Sequence, residues 1–287
     1  MSARESRAGD YNPLRTMRSA VLLAVGFVVS FRGPFIPDAG PPGQSGVSSA
    51  AFNELGLFHD KKAEDLFTQA RIAISGGPTG IARLQGLRLK GRGRIGNPDG
   101  SPAFDGSVEI RIQLPDRYLR IDTGNFGRRL TGYAGTTPLS LIEDPDHKVM
   151  SEPRDAATVE TARFELARLM LGAATWTSHE VRVKLYTRDT PVDMAGPADA
   201  LGVDAVSADE SGFAARVIMD AKSRMPARLV YRSTDGIRTL TIVERKSVSG
   251  YRIPSHLTIS LGDRVLDDLT FDEIAVNPKF GKADFAK

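Results

Sequence analysis

The apolar residues change their period along the chain. Between Lys61 and Ile74, the residues Ala63, Leu66, Phe67, Ala70 and Ile74 recur at helical intervals, so a helix is predicted over 61–74 with Asp60 as its N-cap and Gly76-Gly77-Pro78 as its end. A short helical turn is expected around Ile81-Ala82-Arg83-Leu84. From Gly86 the period becomes two: Leu87, Leu89 and Ile95 share one face, and Arg88, Lys90, Arg92 and Arg94 the other, which describes a strand with one wet side. Val108, Ile110, Ile112 and Leu114 then alternate with Glu109, Arg111 and Gln113, and Pro115-Asp116 turns the chain into a strand over 117–122. Strands joined this tightly pair antiparallel. Residues 123–154, rich in Gly, Thr and Pro, carry little pattern.

The clearest helix is predicted over 155–172, where Val159, Ala162, Leu166, Leu169, Met170 and Ala173 mark one face and Phe164 and Leu171 broaden it. Strands return at roughly 180–187, 213–220, 226–232, 237–247, 250–261 and 264–276, with turn signals at Asp235-Gly236, Ser249-Gly250 and Gly262-Asp263. The class is therefore α+β, a large and mostly antiparallel sheet with one N-terminal and one central helix. Two helices cannot cover a sheet of that size. Its remaining apolar face either closes on itself as a partial barrel or lines a cavity.

The first 32 residues read differently. Arg15 and Arg18 precede thirteen uncharged residues, Ser19 to Phe31, and Arg32 closes the run. A helix of that length rises about 20 Å, against about 30 Å of bilayer hydrocarbon, so the pattern is that of an export signal. Val28 and Ser30 stand at the minus-three and minus-one positions of a cleavage site, without an Ala-x-Ala; an uncleaved anchor is the rival reading. Residues 33–58 form a Pro/Gly/Ser-rich linker, and one domain is expected over 59–287. Localisation to the periplasm follows, with a tether to the inner membrane if the leader stays attached.

Charge and cysteine content narrow the chemistry. The leader holds five arginines against Glu5 and Asp10, which leaves 33 basic and 33 acidic residues in 33–287. A balanced body gives little basis for binding nucleic acid, despite a pI near 9.1. With no cysteine there is no lipidation site, disulfide or thiolate chemistry.

Catalytic patterns are weak. His59, His147, His179 and His256 show no metal-ligand spacing, and Asp144-Pro145-Asp146-His147 reads as an exposed turn. No Gly-x-Ser-x-Gly elbow occurs. Gly91-Arg92-Gly93-Arg94-Ile95-Gly96 matches a dinucleotide fingerprint by letter, but it ends a strand and opens no helix. The cation row Arg88 to Arg94 is either a solvated strand face with acidic neighbours or a docking surface for an anionic head group or a protein. Trp176, the only tryptophan, is expected in the core or at a cavity rim.

Ala63-Glu64-Asp65-Leu66, Ala70-Arg71, Ile74-Ser75-Gly76-Gly77 and Leu84-Gln85-Gly86-Leu87-Arg88-Leu89-Lys90-Gly91 resemble the opening of LolA/LolB-like periplasmic lipoprotein carrier domains. Gly250-Tyr251-Arg252-Ile253-Pro254, Val265 to Ile274, Val276-Asn277-Pro278-Lys279-Phe280 and Asp284-Phe285 resemble their close. The resemblance implies an unclosed antiparallel β-barrel with a central lid helix over an apolar cavity. It implies a non-enzymatic, cofactor-free, monomeric carrier for acyl chains of lipid or lipoprotein; the alternative is a membrane-tethered envelope sensor or adaptor that binds a protein. Candidate lipid-binding residues are Leu87, Leu89, Val108, Ile110, Ile112, Leu229, Tyr231, Leu257 and Ile259 of the strands and Phe164, Leu166, Leu169 and Met170 of the lid helix. A hydrolase remains a third reading, resting on His147, His179 or His256.

Overall fold

Helix α1 spans Lys61–Ser75 and buries Ala63, Leu66, Phe67, Ala70 and Ile74, the stripe its spacing predicts. A 3-10 turn follows at Ile81–Arg83. The computed structural model describes residues 61–77, 79–96, 103–177, 183–187, 201–207 and 213–286, giving the backbone alone at 183–187 and 201–207. The leader 1–32, the linker 33–58, His59, Asp60 and His179 lie outside the described residues.

Before the second helix lie β1 (Gly86–Ile95), β2 (Phe104–Gln113), β3 (Arg117–Gly124), β4 (Gly127–Ala134), β5 (Thr137–Pro138), β6 (Leu141–Glu143) and β7 (Val149–Ser151). Helix α2 spans Ala156–Ala174. After it come β8 (Val183–Thr187), β9 (Leu201–Ser207), β10 (Ala214–Met219), β11 (Pro226–Ser233), β12 (Gly236–Val248), β13 (Tyr251–Leu261) and β14 (Arg264–Val276). All belong to one sheet ordered β7-β6-β4-β3-β2-β1-β14-β13-β12-β11-β10-β9-β8, with β5 paired to β4. Neighbours run antiparallel, and the two end strands do not pair, so the curled sheet is an unclosed half-barrel of class α+β. β1 and β14 join its two halves.

Helix α2 lies against the inner face and reaches β3, β4 and β5 on one side and β10 to β13 on the other. Asp155 caps its start, accepting from the Thr158 N–H at 2.8 Å. Thr175, left-handed at φ 52, ends it, its N–H donating to the carbonyls of Met170 and Leu171. Small residues near that end allow close approach: a Cβ at Gly172 would meet Leu240 at 3.3 Å. Arg245 closes the same end, donating to the carbonyls of Ala173 (2.7 Å), Gly172 (3.2 Å), Arg252 (2.9 Å) and Pro226 (3.1 Å).

The sheet is covered on both faces near β3. Inside, the main core includes Leu87, Ile112, Leu166, Met170, Leu229 and Phe271. Outside, Leu119, Leu130, Leu139 and Leu141 form a second cluster under Phe280 and Phe285 of the C-terminal segment. Arg111 holds that segment by donating to the Asp284 carbonyl at 2.7 Å. Asn277 fastens its start, accepting from the Gln85 N–H at 2.7 Å and donating to the Arg83 carbonyl at 3.0 Å.

The patternless stretch 123–154 contains four strands. β4 evades pattern reading because its inward positions are Arg129, Thr131 and Tyr133, aligned with Asp122, Arg120 and Tyr118 of β3. Only Tyr133 among the three signals a core. β9 was also unmarked, its run carrying Gly202 and Asp204, residue types depleted in strands. Gly91 and Gly93 have a structural cause: a Cβ there would stand 1.9 Å from the Thr270 and Asp268 carbonyl oxygens of β14. The glycines that spell the fingerprint admit a neighbouring strand.

Candidate functional site

A cavity of about 90 Å³ separates helix α2 from the inner faces of β2, β3 and β11 to β14. Its apolar end is made by Ile110, Leu169, Leu240, Leu257, Ile259 and Leu269. Its other end is polar, formed by Tyr118 and Arg120 of β3, Glu165 and Arg168 of α2, Tyr231 of β11, Arg238 of β12 and Asp267 of β14. Beyond these residues it opens into a wider vestibule of about 480 Å³, rimmed by Asp122, Arg129, Thr131, Asp235 and Arg264.

The polar end comes from strand register. In the β2–β3 hairpin Ile112 lies opposite Tyr118, Ile110 opposite Arg120 and Val108 opposite Asp122. Cross-strand partners share a face, so Arg120 and Asp122 point inward beside residues of the main core. Leu119 and Ile121 consequently face the outer cluster.

The inward charges form a continuous network. Arg129 Nη2 donates to Asp122 Oδ2 at 2.7 Å, and Arg120 Nε to Asp122 Oδ1 at 2.8 Å. Arg120 Nη1 donates to Asp267 Oδ2 at 2.8 Å. The Gly96 backbone completes the set, its N–H on Asp267 Oδ1 at 2.9 Å and its carbonyl under Arg129 Nη2 at 3.0 Å. Two arginines and two aspartates thus neutralise one another while buried, which offsets the cost of removing them from water.

Two groups stand outside this compensation. Glu165 makes no hydrogen bond and no ion pair within 4 Å among the described residues, although Arg120 and Arg168 act on it through space. Burial pushes its carboxyl above the usual carboxylate range, against the pull of those arginines. Arg168 lies over the rings of Tyr231 (4.6 Å), Phe164 (5.7 Å) and Phe213 (5.9 Å). Its Nη2 donates to the Arg232 carbonyl at 3.3 Å, while its Nε is buried without a hydrogen-bond partner. Arg120 Nη2 is likewise buried and unpartnered.

Other shifts have equally local causes. Burial raises the Tyr118 hydroxyl well above its usual value, and Glu165 adds to the effect. Burial opposes ionisation of Asp267, yet Arg120 and the Gly96 N–H hold its carboxyl below the usual range. Arg238 pairs with Asp235 at 2.6 Å, and both Asp235 and Tyr231 favour its charged form against the cost of burial.

Of the predicted lining, Ile110, Leu169, Tyr231, Leu257 and Ile259 border the cavity. Leu87, Leu89, Val108, Ile112, Leu166, Met170 and Leu229 are buried in the main core and do not border it, and Phe164 packs beside Phe213. Sequence reading missed Tyr118, Arg120, Asp122, Glu165, Arg168 and Asp267. The signal for the β3 residues was available, because the tight turn at Pro115-Asp116 fixes which of them share a face with Val108, Ile110 and Ile112.

The remaining motifs resolve locally. The row Arg88, Lys90, Arg92 and Arg94 lies among Glu109, Asp105, Asp268, Asp272 and Glu273 of neighbouring strands, with Arg88 bound to Glu109 at 2.8 Å. Asp144 closes its own turn by accepting from the N–H groups of Asp146 and Lys148. His147 sits in that turn at φ 62, and His256 meets Asp268 at 2.7 Å on the surface. Among the described residues no group of three or more metal-ligating side chains is assembled. Trp176 is partly buried against the main core. No helix among the described residues is long and apolar enough to cross a membrane.

Neither a protein-family model nor a curated protein matches the sequence. Solved structures with a similar fold include a LolA superfamily protein from Nitrosomonas europaea, with 10% identity and TM-score 0.47 over 78% of this chain and 97% of that one. A DUF1329 family protein from Desulfovibrio piger is similar at 6% identity and TM-score 0.48, covering 79% and 98%. A putative outer membrane lipoprotein-sorting protein domain from Vibrio parahaemolyticus is similar at 13% identity and TM-score 0.46, covering 78% and 97%. At these values the likeness is one of general fold.

Proposed function

We propose that the chain is an exported carrier that holds the apolar part of a lipid or lipoprotein in the cavity beneath α2. The cavity itself carries this reading, because its apolar end is built from inward residues of β2 and β12 to β14 and from Leu169 of the lid helix. The space beneath α2 is small by itself, about 90 Å³, and reaches the range of roughly 300–1,000 Å³ usual for small-molecule sites only together with the adjoining vestibule of about 480 Å³. Each methylene moved there from water contributes about 0.8 kcal/mol, so a chain needs no specific polar contact to be retained. The leader 1–32 directs the protein to the periplasm, the linker 33–58 separates it from the domain 59–287, and cleavage decides whether the carrier is free or tethered. Binding is the function, without a chemical step or cofactor.

Native mass spectrometry of the full protein isolated from its envelope tests this, since it reads leader cleavage and bound lipid together. Co-purified acyl lipid, or binding of an acyl probe after delipidation, is expected. Folded, delipidated protein that binds no acyl ligand refutes the carrier.

A second reading has its own observation. β7 is an end strand of the sheet, and its Val149 and Met150 are exposed beside Ile142 of β6. An open, apolar strand edge suits a protein partner added by backbone pairing, as an envelope adaptor requires. Substituting Val149 and Met150 by lysine would abolish such a partner's capture in a pull-down and leave acyl binding intact.

A further inference from the structure

Four carboxylates line the cavity and its vestibule, and the protein supplies donors to three of them. Asp122 takes Arg120 and Arg129, Asp267 takes Arg120 and the Gly96 N–H, and Asp235 takes Arg238. Glu165 borders both spaces, is only partly enclosed, and has no donor among the described residues. Its hydrogen bonds are left to whatever enters.

The surroundings decide which chemistry completes it. Arg120 and Arg168 act on Glu165 through space alone, Asp122 and Asp267 oppose them, and burial outweighs the arginines and shifts the carboxyl toward its neutral form. The unmade bonds of Arg120 Nη2 and Arg168 Nε are closed inside the protein, so they offer an anionic ligand nothing. An ammonium gains little from a carboxyl shifted toward its neutral form beside two arginines. A hydroxyl suits the position in either state, because it donates to a carboxylate and accepts from a carboxylic acid. The wall nearby has the same character. Thr161 stands one turn before Glu165 on α2 and shares its face, and Thr131, Ser233 and Thr234 also line the vestibule.

We propose that Glu165 receives a neutral, hydroxyl-bearing head group of the bound amphiphile, of the kind a monoacylglycerol carries, while the tail occupies the apolar end. This rests on the carrier reading and adds the ligand's chemical class, an uncharged acyl polyol. The two ends are continuous, since the same cavity touches Leu257, Leu269 and Glu165.

The test is displacement of parinaric acid from the full-length protein by monoolein, methyl oleate, oleic acid and glycerol. The three oleoyl ligands share one tail and differ at the head. Hydrogen bonds to its hydroxyls give monoolein an expected advantage of about tenfold over methyl oleate. Glu165→Met removes that advantage and leaves the affinity for methyl oleate unchanged, whereas Glu165→Gln, which keeps an acceptor and gains a donor, retains it. A merely structural role would move both esters together. Equal affinity of the two esters overturns the hydroxyl subsite while the carrier stands, and failure of every oleoyl ligand to bind overturns the carrier as well. Oleic acid that binds more tightly than monoolein overturns the neutral class, and a preference that survives Glu165→Met overturns the role of Glu165. Glycerol that competes as well as monoolein identifies a free polyol as the occupant and overturns the amphiphile assignment.

Discussion

Replacing Arg245 by methionine isolates what anchors the lid helix. The guanidinium donates four hydrogen bonds to carbonyls, two of them in the last turn of α2, and no carboxylate lies within 4 Å of it among the described residues. Helix C-terminal carbonyls lack partners within the helix, and a cation there also meets the favourable end of the dipole. Four bonds to a charged donor, at about 1.5 kcal/mol each, total about 6 kcal/mol. Against this stands burial, which lowers the Arg245 pKa to about 10, a cost of about 3 kcal/mol for carrying the charge at neutral pH. Methionine removes both terms, so a net loss of about 3 kcal/mol is expected, or about 6–12 °C in Tm for a domain of this size. Trp176 lies two residues beyond Ala174, the end of α2, and is the only tryptophan, so its emission reports this anchor directly. Thermal unfolding of Arg245→Met followed by tryptophan emission and by circular dichroism should show the emission change preceding the loss of strand signal. A folded variant within about 2 °C of the parent, with unchanged emission, would refute the anchoring role.

Gly91→Ala places a Cβ 1.9 Å from a backbone oxygen that cannot rotate away, so a loss near the upper end of the roughly 1–3 kcal/mol overpacking range is expected in urea unfolding, whereas Gly77→Ala, with open space, should stay within about 0.5 kcal/mol. Asp122→Asn breaks the buried network by leaving Arg120 and Arg129 short of a charge, and its urea midpoint should fall by the equivalent of about 3–5 kcal/mol. Asp267 and Glu165 should move stability with pH in opposite senses. Burial resists ionisation of Asp267, but Arg120 holds its folded carboxyl below 3.8, so its contribution is present above 3.8 and is lost as pH falls through the folded value. Glu165 is raised above 4.5 by burial, so its charge costs stability at neutral pH and the cost disappears as pH falls through its folded value. Glu165→Gln should therefore have the higher Tm at pH 7 and lose that advantage on acidification, as read from Tm against pH.

How much of this was legible in the sequence depended on whether an element buries one face or two. α1, β1, β2, α2 and the hairpins β11 to β14 each set an apolar face against a polar one, and their periodicity marked them within a few residues. β3 buries both faces. Its Leu119 and Ile121 look like the core side of an ordinary strand, yet they pack outward beneath Phe285, a residue more than 160 positions along the chain. Periodicity cannot identify that partner. The core of α2 was equally plain, while Glu165 and Arg168 read as its wet face because helical spacing sets them apart from the apolar stripe. They lie at the edge of that stripe, where the helix meets the cavity, and only the curl of the sheet shows that this edge is enclosed.

A charged interior also changes what the carrier can discriminate. A wholly apolar cavity retains any chain in proportion to buried area and accepts it in either direction, since burial is non-directional. Here one end offers Leu240, Leu257 and Leu269, and the other offers Arg120 and Arg168 at the entrance to the vestibule. A ligand inserted head first would bring its polar group against leucine, and desolvating a polar group without a partner costs several kcal/mol. Insertion tail first satisfies both ends. On the proposed reading the charged end therefore sets the orientation in which cargo enters, and its head group remains beside the vestibule.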